Sequence, residues 1–310
     1  MTTLAMFPGQ GSQVVGMGKD LLEQFPYVGQ VFEEAEDGAK FNIRKLCFEG
    51  PESDLKLTEN TQPCILTVSL AYWRVLKEET SLEPEYFAGH SLGEYSALVS
   101  SSRLSLLQAA ELVRSRGQYM QAAVPKGTGS MAAVLNFPAE DLEKLCGESS
   151  SDGSIVELAN FNSAAQLVVA GHKEATDRLL EKLQEKGIKT VLLPVSAPFH
   201  SSLMKPARDK MAPLLADAKI LPGDGKIIAN YTGSIEPEYS YNFLVNQIDS
   251  PVKWLQTMEL AKTEQCTRYI EVGPGKVLFG LARRILPRKE VEILVSQNIE
   301  ATIKQINGAN

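Results

Sequence analysis

The sequence predicts an α/β protein, with a mostly parallel sheet covered by helices on both faces and a smaller unit inserted into it. Three observations carry this. Short apolar segments alternate with helical patterns along most of the chain, the signature of strands joined by crossover helices. Residues 127–194 have an order of their own, β-α-β-β-α-β, the split βαβ or ferredoxin-like pattern. A length of 310 residues suits one large domain that carries an inserted smaller one.

Leu4 to Phe7 is a short buried strand, closed by the turn-rich run 8–12. A helix is expected next, with Val14, Val15, Leu21 and Leu22 as its apolar residues. Gln62 to Glu78 holds Ile65, Leu66, Val68, Leu70, Ala71 and Trp73, a strongly apolar helix. Glu85 to Gly89 is a strand, Tyr95 to Val99 a helix, and Ser105 to Val124 a longer helix. In the inserted unit, Ser130–Leu135, Ile155–Asn160, Gln166–Ala170 and Thr190–Leu193 are strands. Helices span Pro138–Cys146 and Lys173–Lys186, and Asn162 and Ser163 form a turn. Pro125, Gly127 and Gly129 before this unit, and Pro194 and Pro198 after it, mark its edges. The boundaries predicted are 1–126, 127–194 and 195–310, the first and last forming the large subdomain. Beyond it, Leu203–Ala216, Trp254–Lys262 and Val277–Ile285 are helices. Lys226–Ala229, Arg268–Val272 and Val291–Val295 are strands, and the last few residues fray.

Composition narrows the function classes. A net charge of -7 argues against a general nucleic-acid binder, which needs a basic face. Arg283, Arg284, Arg288 and Lys289 are the local exception, readable as a basic patch or as a solvated helix end. Cys47, Cys64, Cys146 and Cys266 form no CxxC pair, so neither a metal knuckle nor a redox motif is indicated. The N-terminus has no basic leader, and no apolar run reaches the roughly 18 residues of a membrane span. The expected compartment is the cytoplasm, with no membrane partner.

Gly89-His90-Ser91-Leu92-Gly93 matches the nucleophile elbow, Gly-x-Ser-x-Gly. The spacing has a physical reason. A serine on a sharp strand-to-helix turn needs neighbours without a Cβ two residues away on each side. Its hydroxyl then stands clear of the sheet, near helix N–H groups that can stabilise an oxyanion. By composition alone the pattern arises in roughly one chain in ten of this length, so its weight comes from the strand before it and the helix after it. The same residues would also make a tight turn with a helix-capping serine.

A nucleophilic serine needs a base. There are three histidines. His90 lies inside the elbow, its side chain directed away from that of Ser91. His172 starts a helix, where a surface or capping role is expected. His200 lies in the proline-stiffened loop 194–202, where the chain re-enters the large subdomain. No acidic residue near it is an evident orienting partner, so a Ser–His dyad and a triad both stay open. The glycine-rich run 7–13 lacks the Gly-Lys-Ser/Thr of a phosphate loop and the third glycine of a dinucleotide site. It can instead aim backbone N–H groups at an oxyanion. Arg116 lies on a mainly apolar helix. If buried, it needs an anion, and a substrate carboxylate would serve; if exposed, it is an ordinary surface arginine. Gln247 has the character of a loop glutamine.

Phe-Pro-Gly-Gln-Gly-Ser-Gln at 7–13, Gly-His-Ser-Leu-Gly-Glu-Tyr-Ser-Ala-Leu at 89–98 and Arg-Gly-x-x-Met-Gln at 116–121 occur in order. They are followed by the His200 loop, Ser-Pro-Val-x-Trp at 250–254 and Glu-Val-Gly-Pro-Gly-Lys-Val-Leu at 271–278. Together these segments resemble the malonyl-CoA:acyl carrier protein transacylase family of fatty-acid and polyketide synthesis, over nearly the whole chain. The resemblance implies an α/β-hydrolase-like large subdomain with a ferredoxin-like small one. It implies that Ser91 attacks the malonyl thioester with His200 as base, and that the N–H groups of Gln10 and Leu92 form the oxyanion hole. It further implies that Arg116 binds the malonyl carboxylate, that the main-chain carbonyl of Gln247 orients the imidazole, and that Phe199 limits room for a 2-methyl branch. Malonyl-CoA would be the donor and acyl carrier protein the acceptor, with no cofactor beyond the phosphopantetheine the acceptor carries. A monomer serving fatty-acid synthesis is expected. A trans-acting polyketide acyltransferase and a thioester hydrolase with the same Ser–His pair are the alternatives, and such hydrolases usually lack the arginine. Ala164-Ala165-Gln166 departs from the Pro-Gly-Gln of many members.

Overall fold

The computed structural model describes residues 1–195, 197–287 and 289–308. Arg288 of the basic run and the chain's last two residues lie outside them. Two sheets organise the molecule. The first has five parallel strands: β1 (Thr3–Phe7), β2 (Tyr86–Gly89), β7 (Lys226–Ile227), β8 (Arg268–Glu271) and β9 (Glu292–Val295), in the order β7-β2-β1-β8-β9. The second is antiparallel and has four: β3 (Gly129–Leu135), β4 (Val156–Ser163), β5 (Gln166–His172) and β6 (Thr190–Leu192), in the order β4-β5-β3-β6. Helices Ala139–Ser149 and Lys173–Glu185 complete the ferredoxin-like unit.

Strand periodicity explains the layering. On β1, Ala5 and Phe7 face one apolar cluster, and Leu4 and Met6 face another, so the parallel sheet is buried on both sides. On β3, Ala132 and Val134 pack against the unit's own helices, with Leu142, Leu179 and Leu183. Its alternate residues Met131 and Ala133 join the main core instead. One face of the antiparallel sheet is therefore turned towards the large body, and a cleft lies between them.

Local departures from expectation have clear causes. The helix expected around Val14 does not begin until Lys19 and ends at Gln24. Gly16 (φ 96°) and Gly18 (φ 80°) hold left-handed turns there, leaving Val14 and Val15 exposed. Asn162 and Ser163 continue β4 rather than turning, and the reversal falls on Ala164 and Ala165. Helices Gly29–Ala39, Ile43–Glu49, Tyr241–Gln247 and Ile299–Ile306 were not anticipated. Among the described residues no helix is long and apolar enough to cross a membrane.

Candidate active site

The chain leaves β2 at Gly89 and enters helix Gly93–Ser100 with Ser91 at the apex, held at φ 53°. A non-glycine residue in this left-handed region costs roughly 1–2 kcal/mol, so the surroundings must impose it. They do so by close approach. A Cβ on Gly89 would stand 1.9 Å from the Gly93 carbonyl carbon, and one on Gly93 would stand 2.0 Å from the Phe7 carbonyl oxygen. Both peptide groups of Ser91 are held as well. Its N–H donates to Asn230 Oδ1 (2.6 Å), and its carbonyl accepts from Gln247 Nε2 (3.0 Å).

His200 comes to the same point from the re-entrant loop. It too has a left-handed backbone, at φ 59°, and is buried. Its Nε2 lies 2.6 Å from Ser91 Oγ, and its Nδ1 lies 2.9 Å from the main-chain carbonyl of Gln247. A carbonyl only accepts, so Nδ1 carries the hydrogen and Nε2 is the bare nitrogen facing the serine hydroxyl. Burial, then the nearby Arg116 charge, pull the imidazole down to about 3, against the opposing hydrogen bond to Gln247. The ring is neutral at ordinary pH and free to take a proton. Among the described residues no carboxylate stands behind it, which leaves a Ser–His pair held by a backbone carbonyl.

Arg116 settles the alternative left open by sequence: it is 1% exposed. Its Nη2 reaches Ser91 Oγ (3.1 Å) and Gln247 Oε1 (2.8 Å), and its Nη1 reaches Gln62 Oε1 (2.8 Å). Among the described residues its buried Nε has no hydrogen-bond partner. The guanidinium stacks 5.7 Å from the Tyr95 ring centre. No carboxylate within the described residues forms an ion pair with it. A buried cation held among neutral oxygens, beside a serine hydroxyl, has the chemistry to receive an anion.

These groups open on a cleft of about 280 Å³. Gln10, Leu92 and Phe199 line it, so the sequence-expected residues meet in one place, with Gln247 bonded to both Arg116 and His200 behind them. No hydrogen bond within the described residues uses the N–H of Gln10 or Leu92. Met131, Ala133, Asn160, Asn162, Gln166 and Val168 of the antiparallel sheet form the opposite wall. His90 turns from Ser91 to Asn162, with 2.9 Å between Nε2 and Oδ1. His172 precedes its helix, and its Nδ1 accepts from the Ile155 N–H.

Sequence reasoning missed three contributors and part of a fourth residue's role. Gln62 braces Arg116, and Asn230 braces the serine turn from the end of β7. Glu94 is buried and accepts from the backbone N–H of Asn230 and the side-chain amide of Gln247. Gln247 ends helix Tyr241–Gln247 rather than lying in a loop, and it works through its side chain as well as its carbonyl. The Glu94 position within the 89–98 motif was the one available signal, since a charged residue on an otherwise apolar turn must find partners.

The family model for the acyl transferase domain matches residues 5–293. The chain is 40% identical to the malonyl CoA-acyl carrier protein transacylase of Bacillus subtilis, covering 98% of this chain and 97% of that protein. It is 41% identical to the protein of that name from Escherichia coli K12, over 92% and 94% of the two chains. Among solved structures, FabD from Acinetobacter baumannii superposes with a TM-score of 0.94 at 39% identity, covering 100% and 99% of the two chains. A malonyl-transacylase solved in complex with a type II PKS acyl-carrier protein also superposes at 0.94, at 38% identity and 100% coverage of both chains. Fold, site and relatives agree, and the chain belongs to the acyl transferase family, among its malonyl CoA-acyl carrier protein transacylases.

Proposed function

We propose that this protein moves a malonyl group from malonyl-CoA to the phosphopantetheine thiol of an acyl carrier protein, through an ester on Ser91. One observation carries the reading: Ser91 Oγ lies within 3.1 Å of both a neutral base, His200 Nε2, and a buried cation, Arg116 Nη2. The first makes the hydroxyl nucleophilic. The second gives a free carboxylate on the acyl group a place to bind.

In the first half-reaction His200 Nε2 takes the Ser91 proton as Oγ attacks the thioester carbon. The oxygen gains negative charge, which the N–H groups of Gln10 and Leu92 are suited to accept. The C–S bond breaks, the proton passes to sulfur, and coenzyme A leaves as a thiol. In the second half-reaction the acceptor thiol gives its proton to His200 and attacks the ester, and Ser91 is restored. Arg116 holds the malonyl carboxylate, and Gln247 keeps the base and the clamp in register. Phe199 limits space beside the malonyl C2. The reaction draws on no cofactor of the protein's own. Residues 1–126 and 195–310 form the body that reacts, and 127–194 the unit that covers the cleft. A cytoplasmic monomer without nucleic-acid or membrane partners is the state in which we expect it to work, in keeping with its net charge of -7.

Intact-mass measurement after mixing with malonyl-CoA tests this. A single malonyl adduct is expected, and Ser91→Ala removes it. Added carrier protein discharges the adduct faster than water does. Equal discharge to water would instead favour the thioester hydrolase.

A further inference from the structure

Glu94 lies on the first turn of the helix after Ser91 and is wholly buried. Its carboxylate accepts from the Tyr239 hydroxyl (2.7 Å), the Asn230 N–H (3.3 Å) and Gln247 Nε2. Three donors converge on it, which matches an ionised, acceptor-only carboxylate. The acyl-transfer steps above make no use of this charge.

Its partner Gln247 can adopt only one orientation. Arg116 is donor-only, so Oε1 of Gln247 must face it, at 2.8 Å. Nε2 then faces Glu94 and the Ser91 carbonyl, both acceptors. A flipped amide would set its NH₂ against the guanidinium and its oxygen against two other oxygens. Glu94 also touches Asn230, whose side chain receives the Ser91 N–H and donates to the Gly89 carbonyl. One carboxylate thus holds the side-chain amide of Gln247, which faces the clamp, and the backbone N–H of Asn230, the two residues that grip the serine turn.

We propose that Glu94 is a positioning residue for acyl transfer, fixing the Gln247 amide so that Arg116 is aimed at the acyl carboxylate. The proposal rests on the malonyl reading above. Burial pushes the Glu94 carboxyl up to about 7, while bonds from Tyr239, Gln247 and Asn230, and the Arg116 charge, favour its ionised form.

The test compares Ser91 acylation by malonyl-CoA and by acetyl-CoA, which has no carboxylate to clamp. The proteins are the full chain, Glu94→Ala, Glu94→Gln, Gln247→Ala and the doubles. Glu94→Ala is expected to lower the malonyl-over-acetyl preference about tenfold, the size of one bond to a charged group. Glu94→Gln keeps an acceptor for Gln247 and is expected to restore most of that preference. In the Gln247→Ala background the Glu94 substitutions should change it less than about twofold. A folded Glu94→Ala protein with full preference, equal slowing of both donors, or losses that multiply across the pair overturn the proposal. Where Glu94→Ala does not fold, Glu94→Gln carries the same cycle, with about a threefold loss expected alone and none added to Gln247→Ala; multiplied losses there overturn it too. Failure of the unmodified chain to take malonyl at all would overturn the malonyl reading itself.

Discussion

The two sheets build opposite sides of one cleft by different means. The parallel sheet contributes turns at its strand ends: Gln10 after β1, Ser91 after β2 and Asn230 after β7. There the backbone is constrained, down to a left-handed serine and glycines that accept no Cβ. The antiparallel sheet contributes a pleated wall, in which alternate side chains of β3 and β5 face the cleft. Reactivity on the first side depends on atoms held to a few tenths of an ångström. On the second side, side-chain volume can change without moving the ladder. This contrast predicts large losses from one side and graded ones from the other.

The largest is expected at the base. His200→Ala should slow Ser91 acylation on the order of 10³- to 10⁴-fold with little change in thermal midpoint, as measured by intact mass and circular dichroism. Arg116→Ala should cost about a hundredfold towards malonyl-CoA and far less towards acetyl-CoA, from the loss of charge-assisted bonds; equal slowing of both donors would refute the clamp. On the opposite wall, Val168→Ala should leave the malonyl rate within about threefold and raise relative use of methylmalonyl-CoA about tenfold, the worth of a methyl group in an apolar site. A loss at Val168 as large as that at His200 would break the proposed division between the sheets. The smallest effect is a flat profile. Because His200 is lowered to about 3, protonation of the free enzyme's base should not appear near pH 6.5. The rate of acylation at low donor concentration should hold from pH 8 to 5 and fall only as pH approaches the lowered value. An inflection near 6.5 would mean an imidazole more exposed than described.

Legibility followed the same divide. Ser91 could be read because its turn demands glycines at fixed spacing, and His200 because histidines are few and its loop is stiffened by prolines. The inserted unit could be read because its strands and helices have strong periods. Asn230 and Gln62 could not, since amides bracing a site have the same composition signal as amides on a surface. Gln247 was expected only for its carbonyl, which any residue possesses; the side-chain contact to Arg116 needed the fold. Ile43–Glu49 escaped notice because seven residues make barely two turns. The helix expected around Val14 is broken by glycines at 16 and 18, both at positive φ.

The carbonyl behind His200 has a consequence for charge. On the proposed chemistry the ring becomes a cation when it takes the serine proton, and among the described residues no carboxylate touches it. Of the surrounding charges, that of Arg116 opposes this proton most. An acyl group that carries its own carboxylate to Arg116 cancels that opposition at the moment it is needed. The substrate then supplies the acid of the triad, and a donor without a carboxylate leaves two cations side by side.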